Sequence, residues 1–296
     1  MSASAPLWHP SVVARVRSLH LRARQTVAGF GVGLRRSVRL GQAVEFVDYK
    51  PYLPGDSLRD LDWRVLGRRD RLVVRRYRAE TEMGAMVVLD ASADLGSTPA
   101  KWDQAVGFTA TLAWLMFLEN EPVALHIAGG EGASASALPA RRGRAHLARI
   151  FSALATVRPS GRAGLARVFR AVGAAARPRG MIAVVSDFME PPEEWTSSLD
   201  ALVQRRADVR AVQCFDAAET NLDFERPMRL FSPEGGADRT LDPVAMRVAV
   251  SAEAARFFAE VRSEVRRRRG VYTLLEARGS LVEGFGSFLA GREQVR

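Results

Sequence analysis

The spacing Asp90-Ala-Ser92-Ala-Asp94 sets carboxylate and hydroxyl groups at alternate positions just past the apolar run Met83–Leu89. Oxygen donors arranged this way can converge on a hard cation such as Mg2+. Asp187, which follows a second apolar run at Met181–Ser186, could supply a further ligand or an acceptor behind the ligands. Asp90, Ser92, Asp94 and Asp187 are therefore the candidate metal residues. The alternative is that Asp90 and Asp187 cap neighbouring helices and Ser92 is solvated.

Other chemistries lack parts. Gly29–Gly33 reads GFGVG, but no strand leads into it and the last glycine of the dinucleotide pattern is missing. There is no GxxxxGK[ST] loop, and His9, His20, His126 and His146 are scattered without an HExxH pair. Gly55–Leu58 spells GDSL, an esterase nucleophile block, yet no histidine follows His146 to activate Ser57. Ser57 with Asp60 reads better as a helix cap. A hydrolase with water activated by a cation at Asp90 lacks a general base. Cys214 is the only cysteine, which excludes an internal disulfide and any multi-cysteine metal centre. The sequence therefore implies no catalytic residues and no enzyme.

The two aspartates need strand ends to hold them. Strands are expected at Met83–Leu89, Pro122–Ala128, Ala133–Pro139, Met181–Ser186, Asp208–Phe215 and Val271–Leu275. Helices are expected at Lys101–Leu118 behind Pro99, Gly143–Ala155, Leu165–Ala176, Pro191–Arg206, Pro243–Arg269 and Ser280–Leu289. Strands alternating with long helices imply an α/β fold, a mostly parallel, doubly wound sheet with helices on both faces. Such sheets bind ligands beyond the carboxyl ends of their strands, near the switch point.

The 296 residues are 47% apolar and 26% charged, a globular balance that excludes a disordered or fibrous chain. The longest uncharged stretch, Gln104–Leu118, is shorter than the roughly 20 residues of a membrane span. No secretory signal is visible, so a cytoplasmic protein without a transmembrane segment is expected. All but two of the 43 basic residues are Arg, and the net charge is +10. Residues 1–80 hold sixteen basic and seven acidic side chains, so the excess is concentrated there. This suggests a helical, flexible arm over 1–34, a basic β/irregular segment over 35–81 and an α/β domain over 82–296. The basic segment makes nucleic acid or another anionic surface the alternative partner. Against it, Asp48, Asp56, Asp60, Asp62 and Asp70 are interleaved among the arginines, and no known nucleic-acid-binding motif is present.

Residues 41–80 carry Glu45, Phe46, Tyr52, Pro54, Gly55, Asp56, Arg59, Asp62, Trp63, Arg75, Tyr77 and Glu80 in order. This pattern resembles the signature of the DUF58 family (domain of unknown function 58), with Lys50 where that family often has Arg. The resemblance extends over about residues 35–285 and includes Asp90 with Ser92, Ser186-Asp187-Phe188, and Asp216 with Glu219. It implies a von Willebrand factor A-like fold in a bacterial protein. It also implies a non-enzymatic, protein-interaction role beside a MoxR-type AAA+ ATPase in a chaperone-like or regulatory assembly. A metal-ion-dependent adhesion site in that fold takes Asp-x-Ser-x-Ser, a Thr from a second loop and an Asp from a third. Here Asp94 replaces the second Ser, and the Thr loop reads Pro159-Ser160-Gly161-Arg162-Ala163-Gly164. The site is degenerate; Ser160 could substitute for the Thr, and an Asp90–Arg ion pair competes with Mg2+ for the pocket. Glu45, Tyr52, Gly55, Asp56, Arg59, Asp62, Trp63, Arg75 and Glu80 form the structural framework that the signature implies. Mixed charges in so tight a motif interlock. Asp62→Ala is therefore expected to lower the melting temperature, with a loss of about 3–5 kcal/mol for a buried pair. An unchanged melting curve would assign the motif to surface recognition.

Overall fold

The computed structural model describes residues 10–29, 45–52, 65–67, 72–78, 84–131, 137–175, 180–221, 228–230, 239–241 and 243–291. Its elements are α1 (Pro10–Ala28), β1 (Glu45–Pro51), β2 (Val73–Arg78), β3 (Ala85–Ala91), α2 (Pro99–Leu118), β4 (Val123–Gly129), β5 (Ala137–Arg141), α3 (Arg144–Thr156), α4 (Leu165–Ala175), β6 (Met181–Ser186), α5 (Pro192–Gln204), β7 (Asp208–Phe215), α6 (Ala217–Asn221), β8 (Met228–Leu230), β9 (Arg239–Leu241), α7 (Pro243–Arg267), β10 (Val271–Glu276) and α8 (Leu281–Ala290). The chain divides into two units, residues 35–82 and residues 1–34 with 83–296.

In the smaller unit β1 pairs antiparallel with β2, in a register running from Glu45 opposite Arg78 to Pro51 opposite Val73. A bulge interrupts the ladder between Phe46 and Asp48. The Tyr52 N–H donates to the Leu72 carbonyl at 3.0 Å just past the last pair. Glu45 and Arg75 thus lie on these two strands and Tyr52 just beyond β1. Gly55, Asp56, Arg59, Asp62, Trp63 and Glu80, and the short helix expected behind Ser57, fall outside the described residues.

The larger unit is built on a six-stranded sheet in the order β10-β7-β6-β3-β4-β5. β5 alone of these runs antiparallel, against β4; the other pairings are parallel. β3, β6 and β7 are buried almost end to end, as parallel strands covered on both faces must be. One face carries α4, α5 and α7, whose Phe169, Trp195, Leu199 and Val261 pack on Val88, Ile182 and Val184. On the other face Phe108 of α2 meets Phe285 and Phe288 of α8 edge-on, at centroid distances of 5.2 and 5.1 Å. This is the doubly wound, mostly parallel α/β fold expected from the alternation of elements, and the von Willebrand factor A-like fold that the DUF58 resemblance implied.

The helical, flexible arm expected over 1–34 is corrected in part. α1 belongs to the α/β unit, because its Val12, Leu19, Ala23 and Thr26 are buried. His20 of α1 lies edge-on to Trp114 of α2 and Phe151 of α3. Arg22 donates to the Asp103 carbonyl at 3.0 Å and to the Gln104 side-chain oxygen. With α1 and α8 beside it, α2 is buried around most of its girth, which explains its long uncharged run. Strand bounds also shift: β3 extends through Asp90 to Ala91, and the third strand is described over Ala137–Arg141, with residues 133–136 of its expected range outside the described residues. Phe108→Ala would leave a cavity between α2 and α8 and is expected to cost about 3–5 kcal/mol, read from denaturant unfolding. A loss under about 1 kcal/mol would mean that the two phenylalanines of α8 close the gap.

Candidate functional site

The sheet reverses its winding between β3 and β6, since β3 leads on to β4 at one side and β6 to β7 at the other. Their register pairs Leu89 with Val185, so Asp90 and Ser186 come side by side at the carboxyl ends. The Ser186 hydroxyl donates to Asp90 Oδ2 at 2.6 Å, and the Ser92 N–H donates to Oδ1 at 2.7 Å. Asp187 follows at once, and its Oδ1 accepts the Met189 N–H at 3.2 Å.

The backbone between these groups is strained. Phe188 has φ +57°, the left-handed region that a bulky side chain avoids, at a cost of about 1–3 kcal/mol. The Phe188 N–H donates to Ser186 Oγ at 2.9 Å, and its ring is buried against Trp195 at 5.6 Å. That anchoring turns Asp187 inward and leaves Met189 59% exposed.

A second loop closes in from the β4 side. Ser160 N–H donates to the Ala91 carbonyl and Ala93 N–H to the Gly161 carbonyl, both at 2.9 Å. Gly130, at φ +75°, permits this approach: a Cβ there would lie 2.8 Å from the Ala91 Cβ and 3.0 Å from the Arg158 carbonyl. The cavity between them, partly open to solvent, measures about 30 Å3, and Asp90, Ser92, Asp94, Asp187, Glu190 and Arg162 contribute to its wall. The structure thus brings all four candidate residues together.

Neither aspartate caps a helix. Thr98 Oγ1 accepts the Lys101 N–H at the start of α2, and Glu190 accepts the N–H groups of Gly164 and Leu165 at the start of α4. Lys101 is a cation that meets Asp187. Its Nζ donates to both oxygens of Glu219 at 3.1 Å and lies 3.5 Å from Asp187 Oδ2. At 3.5 Å the latter is an ion pair rather than a hydrogen bond, and Oδ2 is left as a buried oxygen with no hydrogen-bond partner. Ser97 Oγ donates to Glu219 as well. Asp216 accepts from Thr98 Oγ1 at 2.8 Å and from the Ala218 N–H at 3.0 Å. Burial pulls the Asp216 carboxyl upward, but these donors, Arg278 and Lys101 hold it below the usual carboxylate range. Burial raises the Asp90 carboxyl against the pull of its two serine partners. Asp187 is pushed up to about 7, by burial first and by the Asp90 charge second, with Lys101 opposing.

These residues as folded do not fit a divalent ion. Both Asp90 oxygens hold a donor, and Ser92 Oγ accepts the Leu95 N–H at 3.3 Å. The second loop lines the cavity with Arg162 and Ala163; its hydroxyl, Ser160, is not part of the wall. Lys101 sets a positive charge against the oxygen a metal would take. Among the described residues no group of three or more His, Cys, Asp or Glu is placed to hold a metal.

Lys101 and Glu190 carry much of this arrangement, and sequence reasoning missed both. Lys101 had one available signal: it is one of two lysines in an arginine-rich chain, just ahead of its longest uncharged run. No described histidine lines the cavity; His146 Nε2 donates to the Val123 carbonyl instead. Cys214 is buried, and burial pushes its thiol upward, away from the reactive thiolate.

The shift at Asp187 gives stability a pH dependence. The unfolded chain releases this proton near pH 4, about the ordinary aspartate value, whereas the folded protein keeps it to about 7. The folded state therefore binds more protons between those values. The contribution is full below about pH 4 and is lost as pH rises through about 7. Asp187→Asn, neutral throughout, should shrink that fall by up to one proton's slope, about 1.4 kcal/mol per pH unit, in melting curves against pH. An unchanged slope would show that Asp187 is ionised across the window.

Two solved structures resemble the chain. An aerotolerance-related membrane protein from Bacteroides fragilis is 14% identical with a TM-score of 0.44, covering 72% of this chain and 99% of its own. BatB from Bacteroides thetaiotaomicron is 13% identical with a TM-score of 0.43, covering 72% and 98%. Uncharacterized proteins of Mycobacterium bovis and Mycobacterium tuberculosis are each 31% identical over 265 residues, 87% of this chain and 82% of theirs. Residues 48–260 match the family described as Protein of unknown function DUF58. That match spans β3, β6 and the acidic pair between them, and the chain belongs to the DUF58 family.

Proposed function

We propose that this chain is a non-enzymatic protein-interaction module that works with a MoxR-type AAA+ ATPase in a chaperone-like or regulatory assembly. The observation that carries the reading is the size and content of the switch-point cavity. At about 30 Å3 it has room for about one water molecule, whereas small-molecule sites run to several hundred Å3. Its carboxylates are engaged with Ser92, Ser186, Lys101 and backbone N–H groups, an arrangement that holds a shape rather than moves protons to a substrate. The strained Phe188 presents Met189 at the rim of that cavity, a fixed apolar side chain of a kind enriched at protein interfaces. No helix among the described residues is long and apolar enough to cross a membrane.

The test uses the full chain and the purified MoxR-type ATPase of the same cell, by sedimentation velocity with ATP and with ADP. A complex that depends on nucleotide supports the reading, and Met189→Glu should weaken it by about tenfold or more, as for an interface anchor. No complex with either nucleotide, alongside DNA binding at about 50 mM salt, would move the function to the basic N-terminal quarter.

A further inference from the structure

We propose that the outer surface of α1 and α3 is a docking site for the phosphate backbone of duplex DNA, bound without regard to sequence. This goes beyond the ATPase reading and does not rest on it, because it uses helices other than those at the switch-point turn. α1 and α3 pack side by side, with the rings of His20 and Phe151 edge-on at 5.8 Å. Neither helix contains an acidic residue, and between Glu131 and Asp187 the chain holds ten arginines and no acid at all. On α1, Arg17 and Arg24 stand three residues before and four after His20, so they share the flank that meets α3. The other flank faces α2, where Arg15 lies 3.8 Å from the Asp103 carboxylate and Arg22 donates to the Asp103 carbonyl. On α3 the exposed residues are Arg144, Ala145, Ala148 and Arg149. Arg17, Arg24, Arg144 and Arg149 are all exposed, and none forms an ion pair with a described residue.

The spacing and the company of these arginines decide the ligand. Arg144 and Arg149 are about 7.5 Å apart along the helix axis, close to the advance of two phosphates along one DNA strand. The alanines between them let a backbone come near. Unpaired bases are held by stacking on exposed aromatic rings, but α1 has no Phe, Trp or Tyr, and Phe151 of α3 is buried. A lipid surface takes large apolar side chains beside the basic ones, and Leu21 is the one such residue exposed on either helix. A protein partner takes an apolar or aromatic centre, which arginine and alanine do not supply. Arg142 at the end of β5 donates to the carbonyl of Asn120, which Glu119 and Glu121 flank, so the site is placed on the helices rather than on that strand end.

The experiment is fluorescence anisotropy of the full chain with short labelled duplexes of two unrelated sequences. Both should bind alike and lose affinity on the order of 100-fold between about 50 and about 200 mM salt, the dependence of about four phosphate contacts. Arg17→Ala, Arg24→Ala, Arg144→Ala and Arg149→Ala combined should weaken binding and lower the log–log salt slope by about one for each substitution. The melting temperature should hold, since alanine suits exposed helix positions. If the combined variant melts early, Arg144→Ala with Arg149→Ala decides, with a slope lowered by about two. The proposal is overturned if no duplex binds at about 50 mM salt, or if the combined variant binds as the unaltered chain does, which would assign the binding to residues 35–81. Tighter binding of single strands, or of phosphatidylserine vesicles, than of the duplex would overturn it as well. The combined variant should still form the nucleotide-dependent ATPase complex, so failure of one reading is distinguishable from failure of the other.

Discussion

Two carboxylates carried out of water at adjacent strand ends repel each other and lose hydration together, and each must find a donor, a cation or a proton. Asp90 and Asp187 are in that position because the sheet reverses its winding between β3 and β6. Asp90 meets the demand with donors, the Ser186 hydroxyl and the Ser92 N–H. Asp187 meets it with the Met189 N–H and with a charge from another element, Lys101. The arrangement around the carboxyl edge answers to this pair. Glu219 balances the lysine, and the left-handed turn at Phe188 aims the second carboxylate inward.

The site depends in turn on helices that never touch it. Lys101 reaches Asp187 from the first turn of α2, so the position of that helix fixes the position of the charge. α2 is held by Phe285 and Phe288 of α8, by Arg22 of α1, and by the Gln104 amide, which donates to the Gly279 carbonyl at 3.0 Å. From the other side, Gln213 of β7 donates to the Asp187 carbonyl at 2.9 Å and accepts from the Tyr272 hydroxyl of β10 at 2.6 Å. The hydrogen-bond chain therefore crosses β6, β7 and β10 and ties the acidic turn to the far edge of the sheet. An ion pair that is strong only when buried needs such rigid surroundings, since a small displacement would admit water and remove its advantage.

The sheet was legible in the sequence because its strands are nearly uninterrupted apolar runs. Met181–Ser186 and Asp208–Phe215 match the observed strands end for end, and Asp90 and Asp187 lie at the carboxyl ends of β3 and β6, as their places after apolar runs suggested. α1 as a helix was also legible, within the helical arm expected over 1–34, but its attachment was not. Four buried residues in nineteen make too narrow a stripe to announce a packed helix. The counter-ion was illegible for a different reason. Lys101 lies 86 residues from Asp187 and 118 from Glu219, and no local pattern relates them. Charge placement in the interior is a tertiary property, whereas strand periodicity is a local one.

The use made of the edge follows from who supplies the charge. A carboxylate pair left open to a diffusible cation is filled and emptied with the ion's concentration, and its geometry follows. A pair neutralised by a lysine of its own chain is filled whenever the chain is folded. Lys101 therefore makes the carboxyl edge a permanent shape, with Asp187 turned in and Met189 turned out at the same turn. Glu219 is the more exposed of the two carboxylates beside Lys101, about one third exposed, so it is the point at which an outside group can compete for the ammonium. An edge of this kind is suited to being recognised, and its open end is marked by one acidic and one apolar side chain, Glu219 and Met189.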